Sequence, residues 1–161
     1  MISVKHCSSV IVSAATLWLG MGIVGSIVQA AEATPADEIV KYRQNVMTSQ
    51  RGHMGAAAAI IQGKVEFKDQ LLDHVKALEA TTKDIPGLFP KGSDVGETKA
   101  LKEVWTNNDE FRKRAKDAQE KSAALAKAVA AGDSQSYGKH LKDLGEACKA
   151  CHKDFRKKEE K

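Results

Sequence analysis

Near its C-terminus the chain runs Leu141-Lys142-Asp143-Leu144-Gly145-Glu146-Ala147-Cys148-Lys149-Ala150-Cys151-His152, a segment that is at once a helix stripe and a chemical motif. Leu141 and Leu144, extended back to Tyr137 and forward to Phe155, repeat at three and four, the spacing of one face of an α-helix. Cys148 and Cys151 fall on that same stripe. C-x-x-C-H is the pattern of covalent c-type haem attachment. Positions three and four apart share a helix face, so both thiols can reach one porphyrin edge and form thioethers with its vinyl carbons. His152, four residues after Cys148, is placed to swing under the ring and bind the iron. Two other chemistries use C-x-x-C and stay open beside haem. A structural zinc site usually needs a second ligand pair, and the one remaining cysteine is Cys7. A thioredoxin-like dithiol follows a strand, whereas a helical pattern leads into this motif.

Working outward, the rest of the chain also reads as helix. Aromatic residues make up 5% and there are 3 prolines, while alanine and lysine abound, which favours helices over sheet. Helix one is expected from Thr34, with Thr34 as N-cap, Pro35 at the first helical position and Asp37 and Glu38 at the positive end. Its stripe is Ile39, Val46, Met54, Ala57 and Ile61, its small-residue run is Gly55 to Ala59, and Gly63 ends it. Helix two is expected over 65–83, striped by Phe67, Leu71, Val75 and Leu78. A connection rich in Pro and Gly follows, 84–97, whose Ile85, Leu88 and Phe89 should pack over one end. Helix three is expected over 107–131 after a short turn with Leu101, Val104 and Trp105; Asn107, Asn108 or Asp109 would cap it and Gly132 would end it. Helix four should begin near Asp133 or Ser134 and carry the cysteines. The expectation is all-α: an up-down four-helix bundle with covalent haem on the C-terminal helix.

The 161 residues suggest one domain behind a leader. Residues 7–31 contain no Asp, Glu, Lys or Arg, Lys5 supplies a weakly positive start, and Val28-Gln29-Ala30 suits signal peptidase. The expected division is a signal peptide over 1–30 and the bundle over 31–161, with a periplasmic location. An uncleaved membrane anchor is the alternative, since the apolar run is long enough to span a bilayer. Cys7 precedes the apolar run and is not read as a lipidated cysteine. The formal net charge of +4 gives no reason to expect nucleic acid.

A bundle with C-x-x-C-H on its last helix resembles the class II cytochromes c, the cytochrome c′ family. Besides the motif, the resemblance rests on Tyr42-Arg43-Gln44 with Met47, on Leu88-Phe89-Pro90-Lys91-Gly92, on Trp105, and on Gly145 through Arg156. It implies one covalent haem c, His152 as axial ligand and often a homodimer, for which Gly55 to Ala59 offers a surface. It places Arg43 close to a haem propionate, with Gln44 beside it, and Arg156 one turn beyond the ligand, near the proximal face. Arg156 shares the face of His152, although a solvated tail charge would look the same.

Met47, four residues after Arg43, matches the family's distal position. If its sulfur binds iron, the site is six-coordinate and suits electron transfer; if it only packs, the site stays five-coordinate and open to NO or CO. His53, beside Met54, is expected at the surface or an interface, and His74 and His140 are expected to be exposed. Lys139, Lys142, Lys149, Lys153, Arg156, Lys157 and Lys158 would either dock acidic redox partner proteins or form a solvated face. The expected function is a periplasmic carrier of single electrons, with a gas-binding haem protein as the alternative. It is not expected to be an enzyme, since no distal His–Arg pair is evident for peroxide chemistry.

Overall fold

The computed structural model describes residues 34–158; the expected leader over 1–30 lies outside them. The order is α1 (Ala36–Ile61), α2 (Leu71–Thr82), a single turn α3 (Glu103–Thr106), α4 (Asn108–Ala130) and α5 (Tyr137–Phe155). Single 3-10 turns occur at Lys68–Gln70 and Pro86–Leu88. Outside the helices, Ala100 and Arg156 form an isolated antiparallel bridge that ties the chain after α5 to the long connection. Among the described residues, no helix is long and apolar enough to cross a membrane.

The helix stops follow the glycines. Gly63 has φ +65° and Gly132 has φ +72°. At the first, Lys64 N–H donates to the Ala59 carbonyl and Gly63 N–H to that of Ile60. At the second, Asp133 N–H donates to Ala128 and Gly132 N–H to Val129. Both are Schellman motifs, which need a left-handed residue at the turn.

The starts differ from expectation. Thr34 does not cap α1; Pro35 is the boundary residue, and its carbonyl accepts from Glu38 and Ile39 N–H. Asn107 bounds α4 with its backbone carbonyl, while the Asn108 amide donates back to Val104. The Asp133 N–H is spent closing α4, so a turn intervenes and α5 begins at Tyr137. Helix two is shorter than expected for the same reason. Closing α1 at Gly63 sends the chain through a non-helical stretch, in which Val65 packs on the core and Phe67 stays 58% exposed.

Two apolar clusters fill the bundle. One joins Ala57, Ile60, Leu71, Val75, Leu78, Leu125, Ala126, Leu141 and Leu144. These come from the C-terminal halves of α1 and α4, the N-terminal half of α5 and α2 from its first residue through Leu78, so neighbouring helices alternate in direction. The other joins Ile85, Val104, Phe111, Ala115, Ala118, Ala147 and Phe155 at the opposite end. Leu125 and Leu144 are almost wholly buried; truncating such a leucine costs about 2–5 kcal/mol. Between α2 and α4, the Thr82 and Ser122 hydroxyls meet at 2.5 Å in the interior. Each is also within reach of a carbonyl of its own helix, Leu78 for Thr82 and Gln119 for Ser122. A hydroxyl has one proton, so one donates to the other and the second donates to its helix.

The packing is uneven around the bundle. The pairs α1–α2, α2–α4 and α4–α5 pack along their lengths, whereas α1 and α5 meet only sparsely. The bundle is therefore loosest along the side where its first and last helices face each other.

Candidate haem site

Helix α5 places the motif. Cys148 and Cys151 are free thiols, both half-buried. Cys148 packs against the apolar cluster holding Leu141 and Leu144, and Cys151 against the one holding Phe111 and Phe155. The two thiols thus bridge the two halves of the core. Burial raises the pKa of Cys148 above its ordinary value. Cys151 is pushed up to about 11, first by burial and then by the neighbouring Cys148, with Arg114 opposing. Arg114 reaches Asp154 at 3.3 Å, an ion pair that joins α4 to α5 beside Cys151. Both thiols stay protonated at neutral pH, unlike the low-pKa cysteine of a redox dithiol. Among the described residues, no group of three or more His, Cys, Asp or Glu is placed to hold a metal ion, so the zinc alternative has no ligand set there. His152 lies at the surface. Partial burial of its ring, then the charge of Arg156, hold its pKa below the usual value, which keeps the imidazole neutral and able to bind a metal.

Helix α1 provides the opposite wall. Gly145 is where it meets α5: a Cβ there would lie 3.5 Å from Met54 Cε. Met47 precedes Met54 by seven residues, and His152 follows Gly145 by seven. In antiparallel helices these offsets run the same way, roughly 10 Å along the bundle, which brings Met47 to the height of His152. Met47 is half-buried and packs on the cluster that also receives Cys151, Phe89 and Trp105. The sequence-predicted residues Cys148, Cys151, His152 and Met47 therefore converge on the loosely packed α1–α5 side. Two thiols and a neutral imidazole on one helix face, with apolar side chains and a thioether across from them, fit a covalently held haem.

Arg43 sits differently from the other candidates. It is 2% exposed, the most buried charge among the described residues. Its guanidinium donates to Ser93 Oγ at 2.8 Å, to the Ser93 carbonyl at 2.7 Å and to Thr98 Oγ1 at 2.9 Å. It also lies 4.9 Å from the centroid of Phe89 and 5.7 Å from that of Trp105. Desolvation lowers its pKa, opposed by Asp94. Gln44, exposed beside it, donates to the Glu97 carbonyl at 2.8 Å. Both residues therefore pin the 84–102 connection onto α1. Under that connection, Phe89, Phe111 and Phe155 stack edge to face with centroids 5.1 and 5.3 Å apart. Arg156 ends α5, its N–H donating to the His152 carbonyl, and just beyond it the Lys157 N–H donates to the Lys99 carbonyl.

Of the basic residues near α5, Lys139 pairs with Asp143 at 2.7 Å and Lys142 with Glu146 at 3.7 Å. Lys149 and Lys153 stand exposed. A surface cavity of about 640 Å³ is lined by Phe89, Trp105 and Arg112, and none of Cys148, Cys151 and His152 lines it. His74 and His140, expected to be exposed, are half-buried, and His74 faces His53, which lies half-buried against it. The pairing depends on how α1 and α2 dock, which no local pattern records. The depth of Arg43 was likewise hidden, although its spacing of three from Val40 could have shown that it lies on the buried face.

Comparison with known proteins agrees with this geometry. The family model described as Cytochrome C′ matches residues 38–156. Cytochrome c′ of Pararhodospirillum photometricum is 36% identical over 118 residues, covering 73% of this chain and 94% of the relative. Cytochrome c-556 of Agrobacterium fabrum is 33% identical over 121 residues, covering 74% and 81%. Among solved structures, a nitric oxide complex of a mutant cytochrome c prime from Alcaligenes xylosoxidans superposes with TM-score 0.72 at 28% identity, covering 80% of this chain and all of that one.

Proposed function

The chain belongs to the cytochrome c′ family and carries one covalent haem c, and from that premise we propose that it is an exported, periplasmic carrier of single electrons. The observation that carries the proposal is the position of Met47, level with His152 across the loose α1–α5 side and set among apolar side chains. When bound, the haem supplies a ferric–ferrous couple that takes up and gives back one electron. Cys148 and Cys151 would hold the haem through thioethers and His152 would bind its iron, while the Met47 thioether, a neutral soft donor, would bind the same iron and favour the reduced state. Phe89, Trp105 and Phe111 pack edge to face and make this end of the bundle apolar. Three of the five N–H groups of Arg43 are engaged by Ser93 and Thr98; the others leave positive charge available to a propionate. Lys149 and Lys153, exposed beside the motif, steer acidic redox partners. The work is carriage rather than catalysis, so we read the protein as no enzyme.

A second reading has its own support: a relative has been captured as a nitric oxide complex. If Met47 only packs, the same apolar wall admits a small neutral gas, NO or CO. Export and a homodimer belong to the proposal as well. The first rests on the uncharged run over 7–31. The second rests on α1, where Gly52 and Gly55 have open space around them; a monomer by light scattering would count against it.

The deciding experiment is the absorption spectrum of the ferric and ferrous protein with and without CO, for wild type and Met47→Ala. The proposal expects a low-spin spectrum with the weak far-red methionine–iron band, unchanged by CO in wild type and lost in the variant. A high-spin wild type that responds to CO would overturn methionine ligation and put gas binding first.

A further inference from the structure

Glycine inside a helix loses more conformational freedom on folding than any other residue, so each one invites a reason. Among the described residues the α-helices hold Gly52, Gly55, Gly138 and Gly145, and a Cβ added at the first three would meet nothing within 4 Å. Gly145 differs: a Cβ there would stand 3.5 Å from Met54 Cε, an ordinary van der Waals contact. This approach joins α1 to α5, two helices that otherwise meet only sparsely. Met54 is backed by the core cluster that contains Ala57, Leu141 and Leu144. A methyl group at position 145 would fill the remaining space, and a longer side chain must displace Met54 and, with it, α1.

The register gives this contact a second meaning. Seven residues return a helix to within about 20° of the same direction. His152 therefore stands on the same line of α5 as Gly145, and Met47 on the same line of α1 as Met54. The pairs Gly145–Met54 and His152–Met47 are two rungs on one side of the bundle, roughly 10 Å apart. The first rung is closed by direct contact; the second faces an imidazole with a thioether. Since α1 and α5 meet at few other points, the spacing at the first rung carries to the second. We infer that the Met54–Gly145 contact is a spacer that fixes the width of the α1–α5 gap, and that both residues are positioning residues deciding whether Met47 reaches the haem iron or leaves it open to a small gas. This rests on the reading of Met47 given above. Neither residue is a ligand; both act through α1, which carries Met47.

The test records absorption spectra of the ferric and ferrous holoprotein, with CO titrations of the ferrous form, for wild type, Gly145→Ala, Gly145→Leu, and Gly145→Leu combined with Met54→Ala. Gly145→Ala should match wild type, because its methyl fits. Gly145→Leu should lose the far-red methionine–iron band, turn high-spin and bind CO about tenfold or more tightly, since apparent affinity rises with the fraction of open iron. Truncating Met54 makes room for the leucine, so the double variant should return to the low-spin state that CO leaves unchanged. A merely structural role would not give this rescue, because truncating a second core side chain ordinarily adds to the damage. Circular dichroism shows that each variant folds, and Gly145→Val carries the same test should the leucine variant lose helicity. A high-spin wild type overturns the Met47 reading and this inference together. A low-spin wild type whose Gly145→Leu variant is equally low-spin and insensitive to CO, or a double variant that stays high-spin, overturns the spacer alone.

Discussion

Replacing Arg43 with Met separates what this residue does for the fold from what it does for the haem. Met keeps much of the aliphatic volume and removes the charge and every donor. The wild-type guanidinium makes three hydrogen bonds, to Ser93 Oγ, the Ser93 carbonyl and Thr98 Oγ1. Hydrogen bonds to a charged group contribute about 1.5–3 kcal/mol each, so the three amount to roughly 5–9 kcal/mol. Against this stands the cost of holding a cation in the interior, several kcal/mol, which the substitution relieves and which the lowered pKa of Arg43 reflects. Ser93 Oγ keeps its own bond to the Pro90 carbonyl, so the Ser93 carbonyl and Thr98 are the groups left wanting. The net expectation is a loss of about 3 kcal/mol, or on the order of 10 °C in midpoint for a bundle of this size. The assay is thermal and urea unfolding of the ferric holoprotein followed by circular dichroism. Arg43→Lys should recover less than half of the loss, because an ammonium lacks the planar fork that reaches Ser93 twice. A double-mutant cycle with Ser93→Ala should show clear non-additivity. A loss below about 1 kcal/mol in Arg43→Met, or additivity with Ser93→Ala, would refute the clamp and leave the propionate as its main partner.

Two further expectations follow. Exchanging Lys149 and Lys153 together for Glu should slow association with an acidic redox protein by about tenfold or more at low salt, and the difference should vanish at high salt. Stopped-flow reduction over a salt series measures it, and equal rates at low salt would place the docking surface elsewhere. Gly63→Ala should cost about 1 kcal/mol by forcing a Cβ onto the left-handed residue that closes α1. The space around Gly63 is open, so no steric clash adds to this, and a neutral result in chemical denaturation would show that the turn tolerates a side chain.

The sequence by itself determined what depends on near neighbours along the chain. The spacing of Tyr137, Leu141, Leu144, Cys148, Cys151 and Phe155 set one helix face and put both thiols on it, because three- and four-residue steps return to the same side of a helix. Gly63 and Gly132 marked the stops because few other residues accept a positive φ. Helix starts were less legible: a backbone carbonyl can serve at a boundary, as those of Pro35 and Asn107 do, and then no capping side chain is needed. Tertiary structure alone decided which faces meet. That α1 and α5 are the loosely packed pair, that Met47 stands level with His152, that Arg43 lies under the Ser93 connection, and that His53 meets His74 all depend on how separate helices dock. The physical reason is one of range. Local sterics and backbone hydrogen bonds act over one turn and are written in the spacing of residues. The register between helices is set by side chains far apart in sequence that fill a shared interior, and no single stretch contains both halves of such a contact.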